Sequence, residues 1–216
     1  MAGMKKKYIL WDHDGVLVST EEWYFEANKK ALHEIGIDIT KENYMYYMQN
    51  GISVWSIPKE QGISMEKITI QKNKRNEYYQ HYLQTENIEI PGVMDVLKIL
   101  KRSFSMAIIT TSKKQDFAII HKDRNMLQYM DFYLASGDYE RAKPYPDPYL
   151  AGMHKYHALP DECIIIEDSA RGLKSALSAG IDCIIIKHDF TKTHDFTGAK
   201  SIISNIEELP SVLSAM

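Results

Sequence analysis

Short apolar runs alternate with longer amphipathic stretches over much of the chain. Five runs are apolar at consecutive rather than alternating positions, which is typical of strands buried on both faces of a sheet. They occupy residues 8–11, 106–109, 132–135, 164–166 and 184–186. The intervening stretches have helical character at residues 93–101, 115–126, 148–157 and 170–179. This alternation predicts an α/β fold, a doubly wound, Rossmann-like parallel sheet with helices on both sides.

Residues 20–88 interrupt the alternation. This stretch is rich in tyrosine and methionine, contains no convincing buried strand, and has helical character over residues 21–35 and 68–82. We expect it to fold as a small helical cap domain inserted after the first strand. Residues 1–19 and 89–216 then form the core domain, to which the chain returns at Pro91-Gly92.

Composition narrows the possible partners. The net charge of −3 over 216 residues gives no electrostatic reason to expect nucleic acid or an anionic membrane as a partner, since either would require a basic face. No apolar stretch approaches the length that crosses a bilayer. Cys163 and Cys183 lie inside apolar runs, so buried reduced thiols are favoured over a disulfide. We therefore expect neither nucleic-acid nor membrane partners, with the cytoplasm as the default location. A monomer is our expectation for the oligomeric state, which the sequence does not determine.

Polar residues follow four of the predicted strands, where a doubly wound sheet binds its ligands. Each motif alone has a simpler interpretation as a turn, a helix cap or a surface charge. Their common placement at one edge of the sheet favours a catalytic site. In chain order the motifs are Asp12-His13-Asp14-Gly15, Thr110-Thr111-Ser112, Lys143-Pro144 and Glu167-Asp168-Ser169.

With these motifs the chain resembles the haloacid dehalogenase-like hydrolase superfamily, in the branch that contains β-phosphoglucomutase and phosphoglycolate phosphatase. The superfamily's four motifs match residues 12–17, Thr110, Lys143-Pro144 and Glu167-Asp168. The resemblance covers nearly all of the core, whereas the cap matches in position and only loosely in sequence. It implies a Mg²⁺-dependent phosphatase that acts on a small phosphorylated metabolite, with specificity set by the cap around Gly51.

The resemblance also implies a role for each motif residue. Asp12 is the expected nucleophile, because a carboxylate can accept the phosphoryl group as an aspartyl-phosphate. Asp14 is the expected general acid and base. The implied Mg²⁺ ligands are the side chains of Asp12 and Asp168 and the backbone carbonyl of Asp14, with Glu167 as a further contributor, direct or through water. The implied phosphate-binding groups are the Thr110 hydroxyl, the Thr111 amide and the Lys143 ammonium.

Two other functions stay open on this fold: a sugar phosphomutase resembling β-phosphoglucomutase, and a non-catalytic binding protein. The resemblance places an arginine in the mutase cap for the second phosphate, and Val54 stands at that position here. Tyr24 stands where the mutase has a cap histidine. Both departures favour hydrolysis, although Lys59 is an alternative cation. For His13 we expect a solvent-facing or sheet-edge position.

Overall fold

The structure, a computed structural model, describes residues 6–216. Six strands lie in this part of the chain: β1 Tyr8–Trp11, β2 Ser105–Ile109, β3 Phe132–Leu134, β4 Cys163–Glu167, β5 Cys183–Ile186 and β6 Ser201–Ile203. All six are parallel and form one sheet in the order β3-β2-β1-β4-β5-β6. Five strands coincide with predicted runs, and β6 was missed because it has only two consecutive apolar residues.

The predicted helices are present with shifted ends. The predicted helix over residues 115–126 ends at His121, and Asn125–Tyr129 form a 3₁₀ helix instead. The α-helices of the described residues are α1 Glu21–His33, α2 Lys41–Gln49, α3 Ser56–Glu60, α4 Met65–Thr85, α5 Val93–Leu100, α6 Lys114–His121, α7 Asp147–Lys155, α8 Ala170–Ser178 and α9 Leu209–Ser214. Three of them, the short helices α2, α3 and α9, were not predicted.

The chain divides into two compact units. The core unit comprises the described residues up to Ser19 together with Glu89–Met216, and it contains the sheet. The helical unit comprises Thr20–Ile88 and contains α1 to α4. The predicted α/β class with a doubly wound parallel sheet is thus confirmed. Between residues 6 and 216, no helix combines the length and the apolar character needed to cross a membrane.

The register of the central strands determines where the polar motifs emerge. Trp11, the last residue of β1, pairs with Ile108 on one side and Ile166 on the other. All three side chains are fully buried, and each of the two isoleucines contributes about 1.5–3 kcal/mol through burial of apolar surface. Because the strands are parallel and in register, the residues that follow them meet at one edge. Cys163 and Cys183 are buried free thiols, as expected.

Candidate active site

A tight turn follows β1 and carries the two aspartates of the first motif. Asp12 is buried, and its amide donates to the Ile166 carbonyl at 2.8 Å, which continues the sheet by one residue. Gly15 has a φ of 79°, a left-handed conformation that favours glycine. The Leu17 amide closes the turn on the His13 carbonyl at 2.8 Å. The turn therefore fixes the backbone of both aspartates.

The loop after β2 holds the side chain of Asp14. The Ser112 hydroxyl donates to Asp14 Oδ2 at 2.5 Å, and the Thr110 hydroxyl lies 3.4 Å from the same oxygen. Thr110 Oγ1 also accepts a hydrogen bond from the Ser112 amide at 3.0 Å. Thr111 lies between these two residues and is partly buried. Sequence reasoning did not assign Ser112 a role, because its contact depends on the conformation of this loop.

Lys143 lies in the loop after β3 and is buried, contrary to the simpler interpretation of a surface charge. Its Nζ donates to Asp12 Oδ1 at 2.5 Å, to Glu167 Oε1 at 2.9 Å and to the Ile109 carbonyl at 3.1 Å. An ammonium group has three hydrogens, and each of them meets one acceptor here. The lysine therefore connects the ends of β1, β2 and β4.

Glu167, at the end of β4, has hydrogen-bond donors on both carboxylate oxygens. Besides Lys143, Oε1 accepts from the Tyr149 hydroxyl at 2.8 Å. Oε2 accepts from the Asp168 amide at 3.0 Å, the Ser169 amide at 3.1 Å and the Ser169 hydroxyl at 3.0 Å. These donors use the acceptor capacity of the carboxylate. Glu167 is thus occupied in orienting Lys143 and the loop before α8.

The start of α8 encloses the same carboxylate. Ser169 caps the helix by accepting from the Gly172 amide at 3.0 Å. A Cβ atom at Gly172 would lie 1.7 Å from Glu167 Oε1, so a residue with a side chain cannot stand there without displacing Glu167. The glycine and the serine of this segment are therefore part of the site's construction.

Three carboxylates and one ammonium share this buried space. Burial, the charge of Glu167 and that of Asp14 raise the pKa of Asp12 to about 6, although Lys143 opposes the shift. Burial, together with Glu167 and Asp12, raises the pKa of Asp168 well above its ordinary value. Burial alone would raise the pKa of Glu167, but Lys143 and the hydrogen bonds hold it at about 2. Three carboxylates thus compete for one ammonium, so the site favours the uptake of a proton or of a cation.

The same three residues have the chemistry of a divalent-cation site. One carboxylate oxygen from each of Asp12, Glu167 and Asp168 lies within 4.8 Å of the others. Hard oxygen donors with surplus negative charge suit Mg²⁺, which needs only a few carboxylates and keeps several waters. Because the oxygens of Glu167 already accept five hydrogen bonds, Asp12 and Asp168 are the carboxylates with capacity for a cation. The residues present fit the ion.

His188 is a member of the site that sequence reasoning missed. It lies just after β5, and its Nε2 is 2.8 Å from Asp168 Oδ2. The other motifs were identified as polar residues directly after a buried strand. Lys187-His188 also follows such a strand, so the same criterion would have identified His188. The His188 side chain is about a quarter exposed and lies against the Asp168 carboxylate. This contact orients a carboxylate that is a candidate cation ligand.

The expectation for His13 was wrong, since its side chain is completely buried. Its Nε2 lies 2.9 Å from Nε2 of His121, and its ring is 5.0 Å from that of Phe117, with both partners on α6. Phe117 and His121 are four residues apart and therefore share one helix face. The turn after Asp12 directs His13 toward this face, an orientation that the two-residue periodicity of a strand does not predict.

The buried histidine pair predicts acid-sensitive stability. Burial, reinforced by His13 and Arg124, lowers the pKa of His121 to about 3. In the unfolded chain the His121 imidazole takes up a proton near pH 6.5, whereas in the folded chain it stays neutral. The free energy of unfolding therefore falls as the pH drops below 6.5. Between pH 7 and pH 5 we expect His121 to account for a loss of up to about 2 kcal/mol.

Denaturant unfolding of the wild type and His121→Phe at both pH values measures this difference. The variant should lose less stability on acidification than the wild type, whatever its stability at pH 7. Replacing the exposed His154 with phenylalanine is the matched control, and it should leave the difference in pH dependence unchanged. An unaltered pH dependence in His121→Phe would contradict the assignment.

The chain is similar in sequence and in fold to known proteins. The family model described as haloacid dehalogenase-like hydrolase matches residues 9–186. A phosphorylated carbohydrates phosphatase of Thermotoga maritima is 27% identical over 82% of this chain and 82% of its own length. A probable pseudouridine-5′-phosphatase of Saccharomyces cerevisiae is 29% identical, with coverage of 84% and 83%. The crystal structure of a CbbY variant from Rhodobacter sphaeroides with xylulose-(1,5)bisphosphate superimposes with a TM-score of 0.79 at 22% identity, covering 94% of this chain and 96% of that one.

Proposed function

The chain belongs to the haloacid dehalogenase-like hydrolase family, and we propose that it is a magnesium-dependent phosphatase acting through an aspartyl-phosphate on Asp12. The observation that carries the proposal is the buried contact of 2.5 Å between Asp12 and Lys143, beside Asp168. This contact holds the Asp12 carboxylate in one orientation next to the Lys143 ammonium. Phosphoryl transfer requires mainly positioning and charge compensation, which this arrangement supplies.

In the proposed first step, a carboxylate oxygen of Asp12 forms a bond to phosphorus while the bond to the ester oxygen breaks. The leaving alkoxide takes a proton from Asp14. In the second step Asp14 removes a proton from water, whose oxygen attacks the phosphorus of the aspartyl-phosphate. Phosphate leaves and the Asp12 carboxylate is restored. The hydrogen bond from Ser112 holds Asp14 for both transfers.

Lys143 and the loop after β2 are proposed to bind the phosphoryl group. Lys143 offsets the charge of Asp12 and of the phosphoryl oxygens, while the Thr110 hydroxyl and the Thr111 amide donate to those oxygens. Asp12, Asp168 and the Asp14 carbonyl would hold Mg²⁺. When bound, the ion reduces the repulsion between the nucleophile and an anionic ester.

We further propose that the substrate is a phosphorylated sugar or a related metabolite. The support is that the Thermotoga relative is named for phosphorylated carbohydrates and the yeast relative for pseudouridine 5′-phosphate. We infer that the helical unit, Thr20–Ile88, acts as a cap that selects among such esters. Closure of a cap excludes water from the first step, and opening readmits it for the second.

A panel of phosphorylated metabolites, assayed for released phosphate with Mg²⁺, tests the proposed function. We expect at least one sugar phosphate to be hydrolysed, and dialysis against a chelator to reduce turnover by at least about 100-fold, because metal compensation of charge contributes several kcal/mol. Activity should return when Mg²⁺ is added back. Full turnover in excess chelator would remove the metal from the mechanism, and no phosphate release from any ester would refute the phosphatase.

Hydrolysis should also exceed phosphoryl transfer to a second sugar. A mutase must retain a bisphosphorylated intermediate, which needs a cation for the second phosphate. Val54 is buried in the helical unit and offers no charge, whereas Lys59 is exposed. With β-glucose 1-phosphate and a catalytic amount of the 1,6-bisphosphate, we expect any ester consumed to appear as free phosphate. Rapid formation of glucose 6-phosphate with little free phosphate would establish the mutase instead.

A further inference from the structure

The segment that follows β5, residues 187–194, forms a short loop with its own hydrogen bonds. It contains the 3₁₀ helix Asp189–Thr191, in which the Thr191 amide donates to the His188 carbonyl at 3.0 Å. The Thr191 side chain is buried, and its backbone carbonyl accepts from the His194 amide at 3.0 Å. These contacts hold the two histidines of the segment at fixed positions.

Both histidines contact the start of α8, one on each side of Ser169. His188 Nε2 lies 2.8 Å from Asp168 Oδ2, and His194 Nδ1 accepts from the Ala170 amide at 3.3 Å. The second contact satisfies one of the first amides of the helix, which have no partner within the helix itself. The segment after β5 therefore holds both the carboxylate of Asp168 and the backbone two residues further on.

The two carboxylates with capacity for a cation are restrained in the same way. Lys143 Nζ donates to Asp12 Oδ1 at 2.5 Å, and His188 Nε2 contacts Asp168 Oδ2 at 2.8 Å. When Asp168 is ionised, the hydrogen of this contact belongs to His188, because a carboxylate only accepts. A carboxylate has two oxygens, so each aspartate keeps one for a cation while a basic side chain fixes the other. His188 thus restrains Asp168 as Lys143 restrains Asp12.

The orientation of its ligands matters for Mg²⁺ in particular. The ion requires nearly ideal octahedral geometry and binds few carboxylates, so a rotated carboxylate contributes less to its affinity. Residues that hydrogen-bond to metal ligands typically change the affinity by about 10–100-fold when they are removed. Because Mg²⁺ prefers oxygen ligands to imidazole, His188 would act on the carboxylate and not on the ion.

We propose that His188 is a positioning residue that sets the affinity of the site for Mg²⁺ by fixing Asp168, with the rest of residues 187–194 as its support. The inference rests on the proposed function, because it takes Asp168 as a ligand of the ion. It also adds the end of β5 to the strand ends that build the site. None of the four sequence motifs includes this position.

Metal binding in the absence of substrate tests the inference directly. Electron paramagnetic resonance counts free Mn²⁺ during a titration, and octahedral oxygen sites accept Mn²⁺ as well as Mg²⁺. Competition with Mg²⁺ then gives the dissociation constant of that ion. We expect His188→Phe, which keeps a ring and removes the donor, to raise both dissociation constants by about 10–100-fold. His188→Leu should show the same loss, and His188→Gln should recover part of the affinity, because its amide can still donate to Asp168.

His154→Phe is the matched control, because it makes the same substitution at an exposed histidine of α7 and should leave both dissociation constants unchanged. Circular dichroism and thermal unfolding without metal establish that each variant is folded. A merely structural role for His188 would lower the stability and leave the affinity of the folded protein unchanged.

Four results would overturn the inference. They are unchanged dissociation constants in the folded His188→Phe or His188→Leu protein, equal losses in His188→Gln and His188→Leu, no binding of either ion to the wild type, and a loss confined to Mn²⁺. The last result would mean that the imidazole itself ligates the softer ion.

The outcomes separate this inference from the proposed function. A His188-dependent affinity for Mg²⁺, without phosphate release from any ester, would retain the positioning role and refute the phosphatase. Phosphate release by the wild type, with the same Mg²⁺ affinity in His188→Phe, would refute the positioning role and retain the phosphatase.

Discussion

Replacing Asp12 with asparagine should lower kcat by at least about 10⁴-fold, because an amide is too weak a nucleophile to form the acyl-phosphate. The substitution is isosteric, and the amide oxygen can still accept the hydrogen bond that Lys143 Nζ now donates to Oδ1. We therefore expect the fold and the position of Lys143 to be retained. Steady-state phosphate release on the best ester measures the effect.

Asp14→Asn is the matched comparison, since it removes a carboxylate two residues away on the same turn. Loss of general acid–base catalysis typically costs about 10²–10⁴-fold, so the defect should be severe but smaller. Thermal unfolding of both variants separates lost chemistry from lost structure. If Asp12→Asn kept more than a small fraction of wild-type kcat, the nucleophile would have to be another group.

The sheet could be predicted because its central strands are buried on both faces. Such strands are apolar at every position, as in residues 164–166 and 184–186, and this pattern differs from that of an amphipathic helix. The edge strand β6 lacks it, because only Ile202 and Ile203 are apolar after Ser201, and Ile202 is half exposed. The short helices α2 and α3 escaped prediction since their length is fixed by packing rather than by periodicity.

The residues of the site could be predicted, whereas their contacts could not. Asp12, Lys143, Glu167 and Asp168 come together because parallel strands deliver their carboxyl ends to one edge. The hydrogen-bond donors of each Glu167 oxygen depend on the conformation of the loops, which the spacing of the motifs does not predict.

The fold and the chemistry depend on the same buried cation. Lys143 Nζ lies between Asp12 and Glu167, 2.5 Å and 2.9 Å away. The ammonium lets two carboxylates stay ionised in a space where burial disfavours charge. Its own pKa is raised above the ordinary value, because the two carboxylates outweigh the effect of burial. Lys143 is therefore a structural ion as well as a proposed phosphate ligand.

Lys143→Met should accordingly impair stability and activity together. The variant leaves Asp12 and Glu167 buried without their cation, and breaking a buried ion pair in this way costs about 3–5 kcal/mol. Without Lys143 the pKa of Asp12 rises further, so the nucleophile is protonated over more of the neutral range. Together with the lost electrostatic stabilisation, we expect kcat to fall by at least about 10³-fold.

The pH dependence of the stability loss in Lys143→Met tests its electrostatic origin. A buried carboxyl whose folded pKa is raised loses stability as pH rises through that value and regains it when protonated at lower pH. The deficit of Lys143→Met relative to the wild type should therefore be smaller at pH 5 than at pH 8 in denaturant unfolding. Lys174→Met, at an exposed position on α8, is the matched control and should show no deficit at either pH. An equal deficit at both pH values would mean that the lysine acts through packing of its aliphatic stem, and a deficit below about 1 kcal/mol would contradict the role of Lys143 as the counter-ion of the two carboxylates.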